Sequence, residues 1–208
     1  MENNLFYILQ GLTLTLKLYF FTLILSLPLG ILLSLGRVSK NKILNVGIQI
    51  YTWIFRGTPL LLQLFFVYYG LPVFGVVLEP FHAALITFTI NYAAYISEIF
   101  RGSILGVDSG QFEAAQVLGY SYWQTMFKII LPQSLITALP ALSNEAIALI
   151  KDTSLVSAIG MAEILRNSKE IVTREFTITP FIICAGIYLG LSTVIILILK
   201  NIEKKVTI

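Results

Sequence analysis

Asn91, Glu98, Asn144, Glu145 and the run Lys151-Asp152-Thr153-Ser154 stand inside otherwise apolar stretches of this chain. Polar side chains are costly in an apolar medium, so each of them marks a candidate binding position. Asp152 is the first choice as an acceptor for a cationic group. Thr153 and Ser154 offer hydroxyls to an anionic one, and unwound backbone beside them would add N–H donors. Gln63, Tyr68 and Asn91 each bring a polar end into an apolar run and are candidate walls of the same site. A second reading stands beside this one: Asp152 pairs with Lys151, or caps a helix together with Thr153 and Ser154.

A second stretch has a different chemistry. EAAQVLGYSYWQTMFKIILP, residues 113–132, opens on a carboxylate, breaks at Gly119 and closes on Pro132. Glu113 to Leu118 predicts one or two helical turns, and Gly119 supplies the residue that can turn with positive φ. Tyr120 to Ile130 predicts a second short helix ended by Leu131-Pro132. Ala114 and Ala115 are small enough to admit another surface, and Glu113 is free to pair with a basic partner. The segment therefore reads either as a docking element or as a solvated loop.

Several chemistries find no residues here. His82 is the only histidine and Cys184 the only cysteine, so neither a His-based metal site nor an intrachain disulfide is available. No paired catalytic set is evident. The phosphate loop G-x-x-x-x-G-K-[ST] is absent, so the chain does not bind ATP in that way. A net charge of +3 with no basic run excludes an electrostatic footprint for nucleic acid.

The elements that hold these residues follow from composition. The chain is 57% hydrophobic and only 12% charged, about half the usual charged share of a soluble domain, with a mean hydropathy of +0.85. Its apolar runs are long, which predicts an all-α integral membrane protein and excludes barrel strands. Residues 1–208 are expected to form a single transmembrane domain. Its five spans would lie at about 5–35, 43–74, 81–104, 134–159 and 179–199. The second run would measure about 48 Å as one straight helix, well over a ~30 Å hydrocarbon core. It is interrupted by Arg56-Gly57-Thr58-Pro59, so an interfacial helix, a kink near 58–59 and a short span are expected.

Arg37, Lys40 and Lys42 follow the first span, Arg101 and Lys128 lie between the third and fourth, and Lys200, Lys204 and Lys205 follow the fifth. The positive-inside rule then places the N-terminus outside and the C-terminus in the cytoplasm. Arg166, Lys169 and Arg174 are an exception on the outer side. The segment 161–176 holding them is expected to be a short amphipathic helix, serving as a gate, a protein contact or a plain connection. Glu98 and Arg101 are spaced to pair on one helix. Lys17 would snorkel or meet a neighbouring carboxylate. Gly186 and Gly190 form a G-x-x-x-G that permits close helix contact.

The stretch at 113–132 resembles the EAA motif of importer-type ABC transporter permeases. Glu113, Ala114, Ala115, Gly119, Ile129, Leu131 and Pro132 stand at that motif's spacing. RGTPLLLQLFFVYYG (56–70), NYAAYISEIFRGSI (91–104) and NEAIALIKDTSLVSAIG (144–160) resemble the second, third and fourth spans of the polar amino-acid permeases. The resemblance covers most of the chain, from about Gly11 to Glu203. It implies that 113–132 is a coupling helix between the third and fourth spans, seated in an ATPase subunit through Glu113, Ala114, Ala115, Gln116, Leu118 and Gly119. It implies a pore made of two permease chains, identical or related, above an ATP-binding cassette ATPase dimer, with an extracytoplasmic solute-binding protein delivering the solute. This chain would carry no cofactor, ATP and Mg being held by the ATPase, and it would lie in a bacterial or archaeal plasma membrane among lipid. The implied solute is a polar amino acid, whose ammonium and carboxylate suit Asp152 and the hydroxyls of Thr153 and Ser154. The implied function is inward transport by alternating access, with no enzymatic activity in this chain.

Other readings remain: an ABC permease for another small polar solute, an ion-coupled carrier working alone, a membrane-embedded enzyme, or a non-transporting assembly subunit. An ion-coupled carrier should show repeated halves around a midplane site, and no clear internal repeat is present.

Overall fold

The computed structural model describes the backbone of residues 2–206 and the side chains of residues 4–206. Every regular element among the described residues is helical. In chain order they are α1 (Glu2–Gln10), α2 (Leu12–Arg37), α3 (Lys42–Gly57), α4 (Leu60–Phe65), α5 (Pro80–Leu105), α6 (Ser109–Val117), α7 (Tyr122–Thr125), α8 (Leu131–Asp152), α9 (Ile164–Glu175) and α10 (Thr179–Val206). Among the described residues, four runs are long and apolar enough to cross a membrane: 4–37, 80–105, 122–159 and 179–206. The pair Lys42–Gly57 and Leu60–Phe74 would make a fifth, bent by 103° at its break.

The break follows from Pro59. A residue before proline is pushed out of the helical region, and Thr58 is extended at φ −119°, ψ 147°. The chain resumes as α4, a π turn over Phe66–Gly70 and a 3-10 turn over Leu71–Phe74. At its other end α3 is started by Asn41, whose side chain accepts from the backbone N–H groups of Ile43 and Leu44.

Leu131-Pro132 does not end a helix as the sequence suggests. The chain passes from α7 through a π turn at Met126–Ile130 straight into α8. Proline lacks an N–H and its ring crowds the carbonyl one turn earlier. The wider π turn makes room for it, and Pro132 sits in the first turn of α8.

α2 packs most extensively against α5. Along α2 the buried face carries Thr15, Thr22, Ser26, Gly30 and Ser34, so the backbones approach closely. Gly30 is where approach is tightest. A Cβ there would lie 2.4 Å from Ile96 Cγ2 and 2.6 Å from Ile96 Cβ. Ile96 is β-branched and buried, so it cannot swing aside. Gly30→Leu is therefore expected to destabilise the α2–α5 pair by about 1–3 kcal/mol through overpacking. The check is a lowered melting temperature in detergent. An unchanged one would mean the two helices are not held at this distance.

The main apolar cluster lies mid-bundle and joins α2, α4, α5 and α8 through Leu18, Leu64, Phe88, Tyr92 and Leu149. Smaller clusters close the two ends. Ile8, Ile164, Ile171 and Cys184 tie α1 and α9 to α10. Leu35, Ile104, Met126 and Ile130 gather the opposite end. α10 is largely unburied within the chain, and a Cβ added at Gly186 or Gly190 would meet nothing within 4 Å.

Candidate functional site

The break in the α3–α4 pair is held open by amides. Gln63 Nε2 donates to the carbonyls of Phe55 (2.9 Å) and Thr58 (3.1 Å) and to Thr58 Oγ1 (2.8 Å). Asn91, on α5, donates from Nδ2 to the same Phe55 carbonyl at 2.9 Å and to Gln63 Oε1 at 3.0 Å. The two amides thus take up carbonyls that the end of α3 leaves without partners. Gln63→Leu removes the donor from these acceptors and the acceptor from Asn91. It is expected to cost about 1–3 kcal/mol for polar groups left unsatisfied, read as an earlier thermal transition in detergent. Equal melting temperatures would show that the break needs no brace.

Beside the break lies a cavity of about 540 Å³, lined by Arg56, Gly57, Thr58, Pro59 and Leu60 from the break, Asn91, Tyr92 and Tyr95 from α5, and Glu145, Ala148 and Asp152 from α8. Asp152 is half-buried, and its Oδ2 accepts from the Tyr92 hydroxyl at 2.7 Å. That bond orients one carboxylate oxygen. Arg56 lies over the Tyr95 ring, 5.3 Å from its centre, a cation–π distance. One cavity therefore holds two carboxylates, one guanidinium, three hydroxyls and an amide. Such a set can accept from a cation and donate to an anion at the same time.

Not every residue picked out from the sequence shares this cavity. Asp152 and Asn91 line it. Gln63 is buried behind it, bracing the break. Tyr68 belongs to the π turn, edge-on to Tyr69 with ring centres 4.8 Å apart, and packs on the main apolar cluster. Thr153 is fully buried, its hydroxyl donating to the Ile150 carbonyl at 2.7 Å. Ser154 and Lys151 line a separate cleft with Leu165, Cys184 and Tyr188. Lys151 and Asp152 form no ion pair among the described residues, and the Asp152 side chain caps no helix. Adjacent positions on a helix point about 100° apart, which sends the two side chains into different spaces.

Sequence reasoning alone does not select Arg56, Tyr92 and Tyr95 for the site, and it offers Glu145 only as one of a polar set. The signal available for the tyrosines was their i, i+3 spacing next to Asn91, which puts them on one helical face. In the sequence Arg56 stands out only as part of a chain break.

The second stretch is a helix–turn–helix at the opposite end of the bundle from α9. Asp108 starts α6 by accepting from Gly110 N–H at 2.6 Å. Leu118 ends it, and Gly119 turns at φ +78°. Its N–H donates to Gln116 O (3.0 Å) and that of Tyr120 to Ala115 O (3.0 Å), the paired bonds of a Schellman turn. Ser121 and Gln124 then start α7 with a reciprocal capping box. Glu113, Ala114, Gln116, Leu118 and Gly119 are exposed, whereas Ala115 is buried at 1%. Leu118 is 75% and Val117 88% exposed. A short helix with a rigid turn thus presents an apolar tip beside one carboxylate.

Charged groups bind the elements together at the ends. Glu98 Oε2 accepts from Arg101 Nε at 2.8 Å, and Oε1 from Arg37 Nε at 3.2 Å. Arg37 also bonds the Asn45 side chain, whose Nδ2 donates back to the Arg37 carbonyl at 2.7 Å. Arg37 is thus a clasp between α2, α3 and α5 as well as a basic flank of its span. At the other end Glu163 is fully buried and starts α9, accepting from Leu165 N–H (2.7 Å), Arg166 N–H and the Tyr188 hydroxyl (2.8 Å). Burial pushes its carboxyl above the ordinary range, and the three donors oppose that shift. Lys17 is exposed with no carboxylate within ion-pair distance among the described residues. Exposed His82 meets Glu79 at 3.4 Å.

Residues 26–208 match the family described as binding-protein-dependent transport system inner membrane component. The chain belongs to that family. This permease is 42% identical to the probable amino-acid ABC transporter permease protein YckA of Bacillus subtilis (strain 168), over 96% of its own length and 88% of the relative's. It is 40% identical to the L-cystine transport system permease protein TcyB of the same organism, over 94% of its length and 84% of the relative's. A crystal structure of an amino acid ABC transporter with histidines superimposes with a TM-score of 0.88 at 36% identity, covering 96% of the permease and 94% of that chain. The all-helical ABC permease fold expected from the sequence is thereby shown, and with it a multi-pass membrane protein.

Proposed function

We propose that this permease subunit carries polar amino acids inward through the cavity beside the α3–α4 break. The observation that carries the reading is the cavity itself, where Asp152 and Glu145 share one lining with Arg56 in a space large enough to admit an amino acid. The carboxylate of Asp152, oriented by Tyr92, takes the substrate ammonium. Arg56, or N–H groups freed at the break, take the substrate carboxylate. The similarity to amino-acid permeases supports the substrate class. Thr153 and Ser154 serve the site by shaping the turn after α8; Gln63 holds the break, and Tyr68 packs behind it.

Arg56, Gly57, Thr58 and Pro59 are exposed on one side of the cavity, which supports a path completed by a second permease chain, identical or related. Exposed Glu113, Ala114, Gln116, Leu118 and Gly119, with Ala115 supporting the helix from within, form the coupling surface for an ATPase dimer that holds ATP and Mg. The resulting orientation is N-terminus outside and C-terminus cytoplasmic, as the basic flanks of the spans require. α9 then faces the solute-binding protein. Transport follows if the ATP-bound ATPase pair favours one permease state over the other through this surface.

The test is co-purification from mild detergent followed by reconstitution. An ATP-binding partner in stoichiometric amount and ATP-dependent uptake of labelled polar amino acids are the expected results. A chain that purifies alone and moves solute without ATP would overturn the reading in favour of an ion-coupled carrier.

A further inference from the structure

A groove of about 660 Å³ runs along the end of the bundle where α2 finishes and α3 begins. Leu32 and Leu33 of α2 and Leu44 and Ile48 of α3 line it together with Trp123 of α7 and Phe127 of the following π turn. Trp123 and Phe127 stack, with ring centres 5.9 Å apart and planes at 25°, and both are more than half exposed. The lining is almost wholly apolar up to its rim, where Ser39 and Asn41 stand. Lys40 lies between these two rim residues and Lys42 follows Asn41, and both lysines are exposed. Neither lysine makes an ion pair among the described residues, whereas neighbouring Arg37 is taken up by Glu98. No acidic side chain lines the groove.

An apolar slot whose polar rim belongs to a turn carrying two exposed lysines complements a molecule with an apolar tail and an anionic head. We propose that the groove binds an anionic phospholipid, with an acyl chain along Leu33, Trp123 and Phe127 and the phosphate at Lys40 and Lys42. The rim sits where a membrane-spanning helix gives way to a polar turn, which is the depth of the headgroups. A lysine pair at an anionic membrane surface strengthens binding by roughly thirtyfold. A zwitterionic lipid with the same tails would gain only the apolar part. The bound lipid would bridge α2 and α3 to α7 and the π turn after it, which follow the coupling surface in the chain.

The experiment is native mass spectrometry of the intact detergent-purified complex, titrated with phosphatidylglycerol or phosphatidylcholine of identical acyl chains. The expected result is one phosphatidylglycerol per permease chain, held at least tenfold tighter than phosphatidylcholine. The double variant K40E/K42E should lose that preference, and Phe127→Ala should weaken both lipids alike. Lys40 and Lys42 are exposed, so their exchange leaves the fold intact, and melting temperature and subunit composition confirm this for each variant. Equal binding of the two lipids to the native complex would overturn the proposal, as would a K40E/K42E complex that keeps its preference. Absence of any bound lipid, as when another polypeptide fills the groove, would overturn it too.

Discussion

Asp152→Asn is expected to reduce amino-acid uptake by roughly one to two orders of magnitude while leaving the amount of assembled complex unchanged. A hydrogen bond to a charged group contributes about 1.5–3 kcal/mol, which is roughly a 10- to 150-fold change in affinity. Asparagine keeps the size of the side chain and can still accept from Tyr92. It removes the negative charge that balances a substrate ammonium. The loss should therefore appear as an increased half-saturation concentration for uptake, and as weaker binding of labelled substrate to the ATP-free complex. Tyr92→Phe should be milder, because it frees the Asp152 oxygen from its 2.7 Å partner without removing charge. Glu145→Gln probes the second carboxylate of the cavity in the same assay. Unchanged affinity in Asp152→Asn would remove this residue from the substrate site and leave its bond to Tyr92 as a link between α5 and α8.

The second large effect is expected at the turn after α6. Gly119→Leu and Glu113→Lys should each cut ATP-dependent uptake at least tenfold without preventing membrane insertion. Gly119 stands at φ +78°, where a side chain costs about 1–2 kcal/mol. Nothing lies within 4 Å of a Cβ added there, so the cost is one of backbone conformation and of the new bulk facing a partner. Relief of that strain would undo the Schellman bonds to Ala115 and Gln116 and re-aim exposed Val117 and Leu118. Glu113→Lys changes no contact within the chain, since Glu113 is exposed. Its effect must come from the partner surface. The measurement is a pull-down of the ATPase with each variant, together with uptake. Normal co-purification and normal transport in both would show that residues 113–119 do not couple the chain to an ATPase. Lost transport with retained co-purification would place their action in transmission of movement.

The membrane class and the all-helical fold were legible because burial in lipid demands long apolar runs, and such runs survive in a linear sequence. The break at residues 58–59 was legible because Pro59 acts on its own neighbour. The turn at Gly119 was legible for a similarly local reason: its Schellman bonds close within six residues. Pro132 misled because its effect depends on the preceding turn widening to a π turn, which no local rule requires.

The composition of the cavity was a matter of tertiary structure alone. Arg56, Asn91, Tyr92, Glu145 and Asp152 come from three elements, and only the packing of α5 against both the broken span and α8 brings them together. Lys151-Asp152-Thr153-Ser154 is one polar run in sequence, but a helix fans its members to different sides. Only Asp152 of that run faces the cavity, while Thr153 turns inward and Lys151 and Ser154 face another cleft. Sequence alone determined that polar groups lie within the spans, because their presence among apolar neighbours is a one-dimensional fact. Which of them face one another was decided by rotation about the helix axes, and that is set by side-chain packing between distant segments.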